Sequence, residues 1–390
     1  MNNSNQNSRI VILDVIRGFA IVSIMLLHNI EHFDVYYFPD NLPTWMVGLD
    51  KVVWDFMFFM FGGKSYAIFA LMFGVTFAIQ LTNQENKGKH FRSRFAWRLF
   101  LLLGFGILNS VFFQGDILSI YAVIGLFLIP LTKLSEKSIL WIASFLMLLP
   151  YEWWNLFYAF QHPLEKINNP VSWTYFGKMM EYIPHKSFYE TAVGNLTNGK
   201  TGVLLWNWEN GRFFSILALF LYGYILGKRN LFRWTDTSKI FWNKTLLIAT
   251  MAFIPLFIIQ KNLNTLIESD IISRSVGTIE TAWTNFAFMI IIVSGLTIMF
   301  HKKYLKEKLT YFSSFGRMSL SNYIIQSIIG SSIYYGWGLG IYKYTGATYG
   351  ILIGLILTIL MGKFCKYWAQ NHKQGPLETL WHRATWLGGK

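Results

Sequence analysis

The chain has 390 residues, of which 53% are hydrophobic, 18% aromatic and only 14% charged, with a formal net charge of +14. This composition excludes an ordinary soluble domain and predicts a helical membrane protein. The single cysteine, Cys365, excludes an intramolecular disulfide and a thiolate metal site, and we expect no metal.

Apolar runs long enough to cross a bilayer recur along the whole chain. We predict an all-α polytopic membrane protein with about ten transmembrane helices, at residues 10–31, 65–82, 97–113, 117–132, 138–158, 212–227, 243–260, 281–300, 316–335 and 347–365. A further apolar run ends in two glycines and is too short to span. It predicts a re-entrant half-helix near residues 52–63.

The first of these helices carries three ionisable residues, Asp14, Arg17 and His28. Charged groups inside a membrane span are costly and by default mark a functional site. Arg17 and His28 are eleven residues apart, which places them on one helix face about 16 Å from each other. Asp14 lies one turn from Arg17 and can neutralise it, so a structural ion pair is the alternative to a ligand-binding role.

His28 is the candidate general base or proton carrier, because the pKa of histidine lies near neutrality. The alternative is a histidine that only makes hydrogen bonds at the membrane interface. Asn29 stands beside it as a candidate binding residue.

Other polar residues within the predicted spans are candidates for binding substrate or donor: Lys64, Asp116, Arg317, Asn322 and Gln326. Each also has a structural interpretation. Lys64 can extend to the membrane interface, and Asp116 can cap a helix. The residues of the ninth helix can form hydrogen bonds between helices.

The segment of residues 160–211 is too long for a simple connector and predicts a small extracytoplasmic cap. It divides the chain into a five-helix half, residues 1–159, and a second half, residues 212–390. Within the cap, residues 194–201 fit the pattern G-x-x-x-x-G-K-T of a phosphate-binding loop. No buried strand precedes them, so we interpret this stretch as a polar turn.

The basic residues fall in alternate loops between the predicted helices. They cluster in residues 87–98, 133–137, 228–239, 302–308 and 363–390. Under the positive-inside rule this pattern predicts that both termini lie in the cytoplasm. Because the charge is spread over several loops, no concentrated basic face remains for a nucleic acid.

Five stretches of the chain resemble the YeiB-like membrane proteins, also known as domain of unknown function 418. They are RIVILDVIRGFA at residues 9–20, FALMFGVTFAIQ at 69–80, GDILSIYA at 115–122, GRMSLSNY at 316–323 and GPLETLW at 375–381. Because these stretches run from residue 9 to residue 381, the resemblance covers nearly the whole chain. That family is grouped with transmembrane acyltransferases, which include heparan-α-glucosaminide N-acetyltransferase and the acyltransferase-3 family.

The acyltransferase-3 family is marked by an arginine and a histidine separated by ten residues in the first span, as Arg17 and His28 are here. Most YeiB-like members have asparagine at the position of His28, so this chain departs from them there. The histidine used by the heparan enzyme lies beyond the first span. In this chain that loop contains His32 and no histidine farther on before the second span.

The resemblance implies acyl transfer from a cytoplasmic acyl-coenzyme A, with acetyl-coenzyme A the expected donor substrate. The expected acceptor is an extracytoplasmic hydroxyl or amine, such as that of an envelope glycan or amino sugar. It also implies a multi-pass protein of the bacterial cytoplasmic membrane and suggests a homodimer. The alternative function is a transporter or exporter of a small anionic or amphipathic molecule.

Overall fold

The structure is a computed structural model that describes residues 10–37, 39, 42–89, 91–165 and 168–387. Arg9, the first residue of the first family-like stretch, lies outside them. The described residues form α-helices and no strand, which confirms the all-α class.

The helices of the N-terminal half and cap are α1 (Val11–Ile30), α2 (Thr44–Phe61), α3 (Ser65–Glu85), α4 (Arg92–Phe112), α5 (Leu118–Gly125), α6 (Leu128–Leu131), α7 (Glu136–Met147), α8 (Pro150–Gln161), α9 (Val171–Gly177), α10 (Phe188–Gly194) and α11 (Lys200–Glu209). Those of the C-terminal half are α12 (Arg212–Lys228), α13 (Asp236–Leu266), α14 (Asp270–Phe300), α15 (Lys303–Arg317), α16 (Ser319–Tyr334), α17 (Ala347–Asn371) and α18 (Pro376–Trp386).

Six stretches in the described part of the chain are long and apolar enough to cross a membrane. They are Val11–Ile30, Thr44–Glu85, Arg92–Phe112, Asp236–Leu266, Asp270–Phe300 and Ala347–Asn371. A seventh is obtained if the helices Phe188–Glu209 and Arg212–Lys228, bent by 72°, are counted as one broken span. The count of ten spans and the cytoplasmic termini stay predictions.

Three predicted spans are divided in the structure. Residues 117–132 form α5 and the one-turn helix α6, and residues 138–158 form α7 and α8. The second break falls at Leu149, whose φ of 57° is left-handed and which precedes Pro150. Proline disfavours the helical conformation in the residue before it and has no N–H to donate. Residues 316–335 are divided at Met318, between α15 and α16.

The half-helix predicted near residues 52–63 belongs to a longer helix, α2, which has 18 residues and follows Pro43. The sequence suggested a later start because Asp50 and Lys51 interrupt the apolar pattern. The buried Asp50 carboxylate accepts a hydrogen bond from Thr348 N at 2.7 Å, at the start of α17. That bond satisfies an N–H that the first turn of a helix leaves unpaired, so the polar residue is accommodated inside α2.

The cap segment is helical, with α9 to α11 joined by a 3₁₀ turn at Lys178–Glu181 and a π-helical turn at Asn195–Gly199. Residues 194–201 are therefore helical: they form no phosphate-binding loop, and the interpretation as a polar turn was wrong. The Lys200 ammonium instead lies 3.3 Å from the buried carboxylate of Asp116 and hydrogen-bonds Ser110 at 3.2 Å. The cap is thus fixed to the turn between α4 and α5.

Helix α1 lies at the centre of the bundle, where it packs against α3, α15, α16 and α17. Gly18 and Gly316 form the tightest contact of α1 with α15. A Cβ atom on Gly18 would lie 1.8 Å from Phe312 O, and one on Gly316 would lie 1.9 Å from Asp14 O. The sequence stretches around Arg17 and Arg317 are therefore held together by backbone-to-backbone packing, which only small residues allow.

We expect Gly18→Ala to destabilise the protein by about 1–3 kcal/mol or more, because α1 and α15 would have to separate. Thermal unfolding in detergent, followed by size-exclusion chromatography, measures the loss. The matched control is Gly104→Ala in α4, where a Cβ atom meets nothing within 4 Å. Equal unfolding temperatures for the two variants would contradict the packing argument.

Candidate functional site

A cavity of about 520 Å³ opens between the ends of α1, α3, α4, α12, α16 and α18. Its lining is unusually rich in cationic side chains, namely Arg17, Arg98, Arg233, Arg317 and Lys373. The carboxylates of Asp14 and Glu378 and the imidazole of His382 also line it. We call it the basic cavity. An excess of guanidinium groups over carboxylates suits an anionic ligand, above all one with phosphate groups.

Arg17 is held in place by two neighbours within the basic cavity. Its Nη1 atom lies 3.1 Å from Asp14 Oδ1, and its Nη2 atom donates a hydrogen bond to Thr76 Oγ1 on α3 at 2.9 Å. About a fifth of the Arg17 side chain stays exposed to the cavity. The guanidinium is therefore fixed in direction and still accessible to a ligand.

Glu378 on α18 fixes the break between α15 and α16. Its Oε1 atom accepts hydrogen bonds from Leu320 N at 2.7 Å and Ser321 N at 3.1 Å, and its Oε2 atom accepts one from Ser321 Oγ at 2.6 Å. A carboxylate at a helix N-terminus also interacts favourably with the helix dipole. Burial nevertheless raises the pKa of Glu378 above its usual value, and these hydrogen bonds oppose that rise.

The hydrogen bonds of Glu378 fix the end of α15 beside the cavity. Arg317, the last residue of α15, lines the cavity and donates a hydrogen bond from Nη2 to Lys373 O at 3.1 Å. Trp381 of α18 donates a hydrogen bond to Arg98 O at 3.1 Å. The Arg98 guanidinium lies 4.2 Å from the centre of the Trp381 ring. The C-terminal helix is thus one wall of the cavity.

All five family-like stretches of the sequence reach this one cavity. Each contributes lining residues, for example Arg17, Thr76, Tyr121, Arg317 and Glu378. These stretches are separated by up to several hundred residues in the chain. Their convergence makes the basic cavity the candidate functional site.

A second polar group lies at the other end of α1, about 16 Å from Arg17 by helix rise. His28 Nδ1 lies 3.4 Å from Glu31 Oε2, and ligand atoms of His28, Glu31 and Asp34 all lie within 4.8 Å of one another. The His28 ring packs against Phe113, with ring centres 4.7 Å apart, and about a fifth of the side chain is exposed. The group can hold a proton between its members, and the same atoms could bind a divalent cation.

An unusual turn brings Asp34 back toward His28. His32, Phe33 and Asp34 have φ values of 49°, 55° and 68°, so three successive residues other than glycine are left-handed. Such residues cost of order 1–3 kcal/mol each and persist only where surrounding contacts hold them. Here Tyr335 donates a hydrogen bond to Phe33 O at 2.7 Å, and Gln114 donates one to Asp34 Oδ2 at 3.2 Å.

Burial, with a smaller contribution from the neighbouring Glu31 carboxylate, raises the pKa of Asp34 to about 7, whereas His28 and Gln114 oppose the rise. The Asp34 carboxyl group can therefore exchange a proton near neutral pH. Glu31 and Asp34 were not among the site residues predicted from the sequence. The position of Glu31 three residues after His28 was the available signal, whereas that of Asp34 depends on the left-handed turn.

Several predicted binding residues have structural partners away from the basic cavity. Asn29 is fully buried, accepts a hydrogen bond from Tyr334 at 3.0 Å and donates one to Met25 O at 2.8 Å. Asn322 donates a hydrogen bond to Phe315 O at 3.1 Å. A binding role for these two side chains stays a prediction, because each amide is already engaged within the bundle.

Asp116 accepts hydrogen bonds from Leu118 N and Ser119 N, which caps α5, and it also pairs with Lys200. Lys64 is buried between α2 and α3, where its ammonium lies 3.4 Å from Phe58 O. Gln326 is buried, and neither atom of its amide makes a hydrogen bond to a described residue. Of the predicted site residues, only Asp14, Arg17 and Arg317 line the basic cavity.

A second cavity, of about 640 Å³, lies between the cap and helices α12 to α14. Five asparagines line it, namely Asn168, Asn169, Asn210, Asn264 and Asn285, and we call it the asparagine cavity. Tyr66 lines this cavity and Tyr121 lines the basic cavity, and the Tyr121 hydroxyl donates a hydrogen bond to Tyr66 O at 2.7 Å. The two tyrosines thus link the walls of the two cavities.

These features define an all-helical membrane protein with a cation-lined cavity at one end of its central helix and a histidine–carboxylate group at the other. Residues 226–388 match the family model described as protein of unknown function, DUF418. The chain is 27% identical to the uncharacterized protein YxaH of Bacillus subtilis (strain 168), over 98% of this chain and 95% of the relative.

It is also 25% identical to the uncharacterized protein YeiB of Escherichia coli (strain K12), over 97% of this chain and 96% of the relative. No solved structure matches the chain. These matches confirm the resemblance to the YeiB-like, or DUF418, family. The grouping with transmembrane acyltransferases stays a prediction.

Proposed function

We propose that this protein is a transmembrane acyltransferase that moves an acyl group, with acetyl the expected one, from cytoplasmic acyl-coenzyme A to an extracytoplasmic hydroxyl or amine. The observation that carries the proposal is the basic cavity, on which all five family-like stretches converge. It lies at one end of α1, and the His28 group lies at the other end.

The charge of the basic cavity supports a donor site at this end of α1. Arg98, Arg233 and Lys373 come from basic segments that the positive-inside rule predicts to be cytoplasmic, and they line the basic cavity together with Arg317. A coenzyme A donor carries phosphates, which guanidinium groups bind with paired hydrogen bonds. The long pantetheine arm could cover much of the distance of about 16 Å toward His28.

The His28 group supports an acceptor site at the other end of α1. The acceptor hydroxyl or amine gives its proton to the imidazole as its oxygen or nitrogen forms a bond to the acyl carbon. The carbon–sulfur bond then breaks, and the thiolate of coenzyme A leaves and is protonated by solvent or the imidazolium. Glu31, 3.4 Å from Nδ1, would stabilise the imidazolium that forms in between.

The proposal includes a ten-span topology with both termini in the cytoplasm and a location in the bacterial cytoplasmic membrane. It is supported by the cavities themselves. Three cations of the basic cavity, Arg98, Arg233 and Lys373, come from segments predicted to be cytoplasmic, and the asparagine cavity is lined partly by the predicted extracytoplasmic cap.

A transporter of a small anionic molecule is the second candidate, and the pair of cavities favours it. Two cavities with neighbouring walls are what alternating access needs, and the Tyr121–Tyr66 hydrogen bond would then lie on the path between them. A transporter, unlike an acyltransferase, need not bind a thioester.

Calorimetric titration of the purified full-length protein with acetyl-coenzyme A tests the proposal. We expect saturable binding that weakens as the salt concentration rises, because ion pairs with phosphate are screened by salt. Longer acyl-coenzyme A molecules test the identity of the acyl group. Absence of binding to all of them, together with uptake of a small anion into proteoliposomes, would replace the proposal with the transporter.

A further inference from the structure

Arg212, the first residue of α12, lies in the wall of the asparagine cavity between aromatic rings. Its guanidinium carbon lies 4.2 Å from the centre of the Tyr66 ring and 3.9 Å from that of Trp206. Cation–π contacts of this kind fix the plane of a guanidinium and leave the N–H groups at its edge available.

Those N–H groups are not used by the protein. Among the residues that the structure describes, none accepts a hydrogen bond from Arg212 or forms an ion pair with it within 4 Å, although Glu31 is near enough to interact electrostatically. A guanidinium has five N–H donors in a planar fork that matches a carboxylate or a phosphate. A fixed guanidinium with unused donors at the wall of a cavity is an anchor for an anionic group.

The rest of the cavity has the chemistry of a sugar site. Its asparagine side chains offer both donors and acceptors to ligand hydroxyl groups, and Trp173 and Tyr66 offer apolar ring faces. The charged side chains of the lining are Arg212, Arg274 and Asp270, so the cations exceed the carboxylates by one. Arg274 is held by a hydrogen bond to Asn168 O at 3.1 Å. The volume of about 640 Å³ lies within the range of small-molecule sites.

We infer that the asparagine cavity binds a sugar that carries a negatively charged group, with the guanidinium of Arg212 on that group. As the acceptor site, the cavity rests on the proposed acyl transfer. Its nearness to the proposed base is indicated by Glu31, which lies 3.4 Å from His28 Nδ1 and also interacts electrostatically with Arg212. As a binding site, it can be tested without any acyl donor.

The test is calorimetric titration of the full-length protein in detergent with glucuronate, glucose 6-phosphate and uncharged glucose. We expect at least one charged sugar to bind about tenfold or more tightly than glucose, because a charge-assisted hydrogen bond is stronger than a neutral one. Glucuronate and glucose 6-phosphate distinguish a carboxylate from a phosphate.

Arg212→Gln should remove the preference for charged sugars. The matched control is Lys178→Gln. Lys178 is a cation of the cap that also lies over a tyrosine ring, 5.3 Å from the centre of Tyr175, and it does not line the cavity. The preference of this variant should equal that of the unaltered protein. Equal binding of glucose and both charged sugars to the unaltered protein would overturn the inference even if Arg212→Gln did not fold.

The outcomes separate the two proposals. Binding of acetyl-coenzyme A without a preference for charged sugars would overturn only the sugar site. A preference that depends on Arg212, without binding of any acyl-coenzyme A, would support the site and overturn acyl transfer.

Discussion

Replacing His28 by alanine is expected to lower acyl transfer by about 10²–10⁴-fold, the contribution that a positioned general base makes. Binding of acetyl-coenzyme A should be unchanged, because His28 does not line the basic cavity. Transfer of radiolabelled acetyl to a membrane acceptor fraction, alongside calorimetry of donor binding, measures the two effects separately.

The control for this variant is His185→Ala. His185 is an exposed histidine of the cap whose Nδ1 atom lies 2.8 Å from Glu190, so it repeats the histidine–carboxylate pairing away from α1. Its loss should leave transfer unchanged. His28→Asn introduces the residue found in most of the family that the sequence resembles, and it should be as inactive as His28→Ala. Full activity of either His28 variant would exclude His28 as the general base.

The helices could be predicted from the sequence where their bounds depend on residues close together in the chain. Helix α1 matches its predicted bounds to within a residue at each end, and the Asp14–Arg17 ion pair follows from a spacing of three residues on one helix. The break before Pro150 was also a local signal, although the apolar run across it favoured one long helix. The later start predicted for α2 followed from Asp50, whose partner Thr348 is 298 residues away.

The candidate site could be predicted only in part, because residues far apart in the chain form it. Arg17 and Arg317 stood out because each is a charge in an apolar run. Arg98 and Arg233 appeared only as loop charges, since nothing in their local sequence shows that they line a cavity. The bond of Glu378 to Ser321 joins residues 57 positions apart, and only the fold brings the two stretches together.

Arg17→Gln is expected to have two effects, which a second substitution separates. The first is a loss of stability of about 2 kcal/mol, because the ion pair between Arg17 and the Asp14 carboxylate is removed. This is less than a fully buried pair would cost, because Arg17 is partly exposed. The second is a loss of acetyl-coenzyme A affinity of about 10- to 100-fold, which corresponds to the binding free energy of one charge-assisted hydrogen bond to phosphate.

The double variant Asp14→Asn with Arg17→Gln removes both charges, so most of the stability should return while the affinity stays low. Thermal unfolding and calorimetry measure the two quantities. The matched control is Glu85→Gln with Arg92→Gln, which removes an ion pair of 3.1 Å whose residues do not line the cavity. If the double variant of Asp14 and Arg17 binds acetyl-coenzyme A as tightly as the control does, Arg17 serves the fold alone, and the phosphates must be bound by the remaining cations of the basic cavity.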